Sequence, residues 1–360
     1  MNRKVVSDKQ AIYLISILLI GSSSIMVMGI QAKKDAWLSI LLGMLLAFPI
    51  TLIYARLHSI FPKNNLFDIA EICFGKFIGK IICLLYVWFT LHNASLILEN
   101  IGSFINTVSL DETPILVPKI FMTILCVIIV KQGIVIISDW VEFFFPVIIF
   151  LLGVLFILLV PKMDINNILP ILNNGLKPIL GGAISVFSFP FAETYVFTMI
   201  FYNMENKKSP YKVYLYGLLM GGFIMCSIAL TNLLLLGEYI VSLSYYPTYL
   251  AAERINFFNT IQRIEVLIAI VLILGAFAKI SIFLFASCKG LAKVFNLTNY
   301  KFIVFPMGLM IIVATYFQNH NTMEIFEFAN NIWPFYSSIF EVILPVTIWF
   351  GSELHITHIK

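Results

Sequence analysis

Charge is what this sequence has least of. Only 12% of its 360 residues are Asp, Glu, Lys or Arg, against 60% hydrophobic residues and a mean hydropathy of +0.97. A soluble domain carries roughly 25% charged residues. No soluble core of this length could hide so much apolar surface, so the solvent this chain needs is lipid. Cysteine is sparse as well. Cys73, Cys83, Cys126, Cys226 and Cys288 lie in or beside apolar stretches and form no CxxC pair, which leaves them as small buried hydrophobes. His355 and His358 are too few to hold a metal and read as solvated. Neither a cofactor nor a metal is expected. The sequence has no glycine-rich phosphate loop and no large soluble domain, which argues against an ATP-driven pump. It shows no nucleophile–base pair, so the chain is not expected to be an enzyme. The net charge of +4 needs no nucleic acid to account for it, because loop lysines of a membrane protein give the same balance.

What the sequence does have is a series of long apolar runs. A membrane span needs about 20 mostly apolar residues. Ten stretches qualify: 11–30, 36–57, 80–105, 115–137, 140–160, 180–202, 212–236, 265–288, 301–318 and 332–352. They are expected to be helices, because backbone polar groups in lipid must be paired within the segment. Residues 1–30 imitate a secretory signal, but Gln31-Ala32-Lys33-Lys34 offers no small-x-small cleavage site, so the run is kept as the first span. With the N-terminus inside, the cytoplasmic segments hold Arg3, Lys4, Arg56, Lys76, Lys80, Lys208 and Lys293 among others. They outnumber the basic residues of the outer loops, such as Lys33, Lys34, Lys119 and Arg254, by roughly two to one. Both termini are therefore expected in the cytoplasm. Trp37, Trp140, Trp333 and Trp349 sit at span ends, as an interfacial belt requires.

Two connecting segments carry structure of their own. Residues 64–79 place Leu66, Ile69, Ala70, Cys73, Phe74 and Phe77 at helical spacing, with Asn64 or Asn65 to cap them. This predicts an amphipathic helix on the cytoplasmic face. The outer segment 237–264, with Pro247 in its middle, predicts short helices able to act as a lid.

Ionisable residues deep in a span cost roughly 2.5–3.5 kcal/mol each on insertion scales and mark function by default. Glu193 lies within the sixth span beside Phe189-Pro190, where proline removes a helix hydrogen bond and exposes backbone next to the acid. Lys279 lies within the eighth, with Gly275, Ala276 and Ala286 on its face, so another helix can approach closely. The third span carries a polar stripe, His92, Asn93, Ser95, Glu99, Asn100, Ser103 and Asn106, which should face a cavity or a polar neighbour. Gly21-Ser22-Ser23-Ser24 interrupts the first span, whereas Gly217, Gly221 and Gly222 in the seventh read as packing. The interrupted spans are the first and the sixth, the opening helices of two five-helix halves. Breaks at corresponding places point to a transporter-type site between inverted repeats. Half-helix ends there offer N–H groups to a carboxylate and C=O groups to a cation, which suits an amino acid.

Four stretches, in this order and spacing, resemble the B subunit of endospore germinant receptors, the GerAB-type spore germination permeases of the amino acid–polyamine–organocation superfamily. They are Phe61-Pro62 with Phe74-Gly75-Lys76 and Gly79-Lys80; Gln132-Gly133 with Glu142 and Pro146; Leu169-Pro170, Gly175 and Lys177-Pro178 with Glu193; and Tyr246-Pro247-Thr248 with Arg263-Ile264-Glu265 and Lys279. The resemblance runs from about Ser7 to Phe350. The first span departs from it, having Ser22, Ser23 and Ser24 where relatives are richer in glycine, and Met28-Gly29 near an expected proline.

The resemblance implies an all-α LeuT-like fold of ten spans in a 5+5 inverted repeat. Residues 1–360 would form one membrane domain, with repeats over about 9–161 and 176–352. It further implies a subunit of the spore inner membrane that binds a nutrient germinant and works with a membrane-bound A subunit and a C-subunit lipoprotein. The expected ligand-binding residues are Gly21, Ser22, Ser23, Ser24, Asn93, Glu99, Phe189, Pro190, Glu193 and Lys279. Lys279 would supply the fixed positive charge that a sodium ion supplies in some proteins of this fold. Two alternatives stand beside this reading: a proton-coupled amino acid transporter using Glu193 and Glu99, and a scaffold or channel subunit that binds no small molecule.

Overall fold

In lipid each helix must satisfy its own backbone, and the computed structural model of the chain is helical throughout its regular elements. It describes residues 6–23, 27–202, 208–254, 264–318 and 328–359. Among the described residues, seven helical segments are long and apolar enough to cross a membrane: Ile30–Ile60, Leu66–Ser109, Ile134–Lys162, Leu176–Ile200, Ser209–Leu243, Glu265–Val294 and Trp333–Thr357. Helices α1 (Asp8–Ser23), α4 (Leu116–Gln132) and α11 (Val304–Thr315) occupy the expected first, fourth and ninth spans. At 16, 17 and 12 residues they are shorter than a full crossing of about 20.

The first span is not one helix. α1 is described to Ser23, Gly29 takes the left-handed conformation (φ 72°), and a 3-10 turn over Ile30–Asp35 leads into α2 (Ala36–Ile60). The expected helix to residue 30 is thus not continuous, since Met28 and Gly29 stand outside it. The next boundary also moves. α4 and α5 (Ile134–Leu159) part at Gly133, where φ is 102°, rather than near Ser138-Asp139. A glycine that can take positive φ ends a helix more sharply than a serine–aspartate pair.

The amphipathic helix is present as the first part of α3 (Leu66–Ser109). Asn65 and Asp68 form a reciprocal capping box at its start, and Gly75 (φ 78°) separates it from the spanning part. Leu66, Ile69 and Ala70 face the core, but Phe77 is 80% exposed and belongs to the outer surface. Beyond α6 (Leu176–Val186) the sixth span loses regular helix. A π turn over Phe187–Phe191 and a 3-10 turn over Ala192–Val196 precede α7 (Phe197–Ile200), and Phe189 is extended (φ −145°, ψ 113°). In the outer segment, α8 (Ser209–Leu243) bends at Gly237 and α9 (Pro247–Glu253) follows.

α10 (Glu265–Val294) is the central helix, packing against α3, α1, α4 and α5, while α8 packs against α1 and α2. Small residues set the approach. A Cβ on Gly217 or Gly221 would lie 2.6 Å from Ile15 or Leu19 of α1, so these glycines are packing devices as expected. The chain closes with α12 (Trp333–Ser338), a π turn over Ile339–Ile343 and α13 (Leu344–Ile359).

Candidate functional site

The break in the sixth span turns Glu193 inward, where it is fully buried, and α10 brings Lys279 to it, equally buried. Lys279 Nζ lies 2.5 Å from Glu193 Oε2. The ring of Phe189 covers the ammonium at 4.6 Å, a cation–π contact strengthened by the burial of Lys279. A buried pair of this kind costs desolvation on both sides, and loss of one partner leaves an uncompensated charge.

Beside the pair lies a cavity of about 130 Å³, about ten times the 10–15 Å³ that one water needs by the same measure. Its polar lining is Gln31 from the 3-10 turn, Asn93, Glu99 and Asn100 from α3, Ser185, Glu193 and Gln318. Its apolar lining includes Phe189, Phe328 and Trp333. The two acids are each answered from outside the cavity. Glu99 Oε2 accepts from Lys119 Nζ at 2.5 Å, and Glu193 pairs with Lys279; neither lysine lines the space. Asn93 donates to the carbonyl of Phe89 at 2.9 Å, which fixes its amide with the oxygen turned away from its own helix backbone.

Of the expected site residues, Asn93, Glu99, Phe189 and Glu193 are brought together around this cavity. Pro190 is buried in the break without lining it, and Lys279 stands behind Glu193. Gly21 is placed elsewhere. A Cβ there would be 2.8 Å from the carbonyl oxygen of Gly275, so this glycine serves the crossing of α1 and α10. Ser24 and the side chains of Ser22 and Ser23 lie outside the described residues. Lys119, expected in an outer loop, is a buried residue of α4 held by Glu99. Trp333, expected in the interfacial belt, is 4% exposed and forms a wall of the cavity. Their apparent places at span ends misled because α4 and α12 start with their first turns already covered by α3 and the sixth-span break.

One group escaped the sequence reading altogether. Glu341, in the π turn before α13, is fully buried near Glu193 and Lys279. The same signal that marked the other two, an ionisable residue inside the span 332–352, was there to find it.

Three comparisons bear on this geometry. The family profile described as "Spore germination protein" matches residues 5–323. Spore germination protein KB of Bacillus subtilis (strain 168) is 24% identical over 353 residues, covering 97% of this chain and 95% of its own length. The putative spore germination protein YfkT of the same organism is 24% identical over 324 residues, covering 89% and 87%. Among solved structures, Mhp1, a nucleobase-cation-symport-1 family transporter in a closed conformation with bromovinylhydantoin bound, superposes with a TM-score of 0.68 at 13% identity, covering 91% of this chain and 77% of its own. The inward-facing conformation of Mhp1 covers the same 91% of this chain and 73% of its own, with a TM-score of 0.57 at 14% identity. The chain has the fold of these membrane transporters, with its cavity at the break of the sixth span, and by the match over residues 5–323 it belongs to the family of spore germination proteins.

Proposed function

We propose that the chain is the nutrient-sensing subunit of a spore germination receptor, binding an amino acid or similar small molecule on a transporter scaffold. The observation that carries this reading is the cavity between the first-span break, α3, the sixth-span break and α12, lined by Glu99, Glu193 and amide side chains and walled by Phe189 and Trp333. Aromatic walls with a few convergent polar groups are the usual chemistry of a small-molecule site. A ligand ammonium would meet carboxylates whose charge the lysines already balance, and ligand hydroxyls or amides would meet Gln31, Asn93, Asn100 and Gln318.

The protein then spans the inner membrane of the spore ten times in two inverted five-helix halves, with both termini cytoplasmic, and works with an A subunit and a C lipoprotein. Binding acts by its differential affinity for two conformations. The segment around α9, expected as a lid, is described to Arg254, and residues 255–263 lie outside the described residues.

A thermal-shift screen of the purified protein against amino acids, sugars and small nutrients tests the reading. A ligand that binds only the folded state at a hundredfold excess over its dissociation constant adds about 2.7 kcal/mol of stability. We expect hits in the wild type that Glu193→Gln abolishes. No hit across the panel would favour the scaffold alternative. The superposition on symporters favours a second reading, a coupled amino acid transporter. Uptake of a labelled hit into proteoliposomes separates the two, since a sensor binds without turnover.

A further inference from the structure

Glu193, Lys279 and Glu341 are all fully buried. Lys279 pairs with Glu193, and the hydroxyl of Tyr54 reaches the carbonyls of both Ala192 and Glu341, which sets the turns carrying the two acids side by side. The charges do not balance. One ammonium faces two carboxyls, so with every group ionised the cluster carries a net negative charge at buried positions. Among the described residues, the polar groups facing Glu341 are neutral hydroxyls or partners in the cluster. Tyr54 from α2 gives its hydroxyl to the carbonyl of Glu341, and Tyr86 from α3 gives its own to the carbonyl of Phe340 at 3.0 Å. Tyr195 comes from the 3-10 turn that carries Glu193, while Tyr336 and Ser337 come from α12. Among these described groups Lys279 is the one cation. The carboxylate oxygens of Glu341, Tyr195 Oη and Ser337 Oγ are buried without a hydrogen-bond partner of ordinary geometry. Buried polar atoms of this kind call for an account.

We propose that Glu193, Glu341 and Lys279 form a single proton-binding site, in which one proton is shared by the two carboxyls and the lysine stays charged. With that proton the cluster is neutral. Two carboxyls in one apolar site cannot both ionise cheaply, and the macroscopic titration belongs to the pair. Glu193 lines the cavity and Glu341 does not, so the proton is stored behind the cavity wall and reached through Glu193. The assignment uses the cluster's geometry and no ligand, so it stands or falls separately from the proposed function.

Infrared difference spectroscopy of the purified full-length protein at neutral pH reads the C=O stretch of protonated carboxyls directly. The wild type should show one such band from the cluster. Glu341→Gln should abolish it, because Lys279 then balances the remaining Glu193. Glu193→Gln should abolish it equally, because Lys279 then balances Glu341. This reciprocal loss distinguishes a shared proton from an independent protonated acid, which only its own substitution removes. Should Glu341→Gln fail to fold, Glu193→Gln alone decides: a band that persists there overturns the proposal. Lys279→Met should double the band, since two carboxyls then need two protons. A wild type without the band, or loss in only one of the two glutamine variants, also overturns it.

Discussion

Gly21 and Gly275 touch backbone to backbone where α1 crosses α10, and a Cβ at Gly275 would come 2.7 Å from the Cα of Gly21. Neither helix backbone can yield by rotating a side chain, so Gly275→Val should cost about 1–3 kcal/mol as overpacking. Gly153, in α5, offers the matched control, with nothing within 4 Å of its Cβ position. Gly153→Ala should be neutral or stabilising by up to about 1 kcal/mol, from helix propensity alone. Melting of the two purified variants beside the wild type reads both effects, and a Gly275→Val protein as stable as its parent would refute the close crossing. The residue scale is also where the sequence was most informative. Glu193 and Lys279 were each singled out as charges out of place in lipid, and the structure makes them partners. Their pairing was not legible, because no spacing rule links residues on different helices. Gly21 was misread for a related reason: a small residue at a break and a small residue at a crossing look identical in sequence, and only the neighbour Gly275 tells them apart.

At the scale of elements, α3 shows how one glycine divides a helix. Gly75 has φ 78°, and a Cβ placed on it meets nothing within 4 Å. Any cost of substitution is therefore backbone strain with no clash added. A β-branched residue in this conformation should lose about 1–3 kcal/mol. Asparagine should lose stability too, because with ψ 168° the residue lies outside the left-handed helical well that Asn tolerates, in a region essentially confined to glycine. Measured by thermal melting, Gly75→Val and Gly75→Asn should both fall below the wild type; a Gly75→Asn protein as stable as its parent would mean the bend is absent in the membrane. Most element boundaries followed from hydropathy, since the spans of α2, α8 and α10 lie within a few residues of the apolar runs. The exceptions share a cause. At Gly133 and at Gly29 the apolar run continues while the backbone turns, and composition carries no record of a dihedral angle. The ten-residue tract from Phe187 to Val196 was recognisable as a break through Pro190, but its division into a π turn and a 3-10 turn depends on what packs around it.

For the whole molecule the question is which conformation these contacts hold. One end of the bundle is tied by ion pairs between elements distant in sequence. Lys9 meets Glu142 at 3.0 Å, Arg56 meets Glu353 at 2.7 Å, and Lys293 meets Asp68 at 2.7 Å and Glu71 at 3.0 Å. These join α1 to α5, α2 to α13, and α10 to the amphipathic part of α3. In the proposed topology all three ties lie on the cytoplasmic side. The contacts would therefore act as an inner gate. The Lys9 pair is open to solvent, and the Arg56 and Lys293 pairs are partly exposed and worth about 0.2–1 kcal/mol each, so no single one decides the state. Together the Arg56 and Lys293 pairs amount to about 1–3 kcal/mol, a population shift of about 5- to 150-fold. Lys9→Gln, Arg56→Gln and Lys293→Gln combined should open the cytoplasmic side by that factor. A cysteine at Asn100, which lines the cavity, reports it through its rate of maleimide labelling from the inner face of oriented vesicles. The native cysteines interfere little, since Cys83, Cys126, Cys226 and Cys288 are buried, and the half-buried Cys73 can be replaced by serine. High salt should accelerate labelling of the parent and leave the triple variant unchanged, because partly exposed pairs are screened. Labelling that is equally slow in parent and triple variant at every salt concentration would show that the buried core, and not these pairs, keeps the inner side shut.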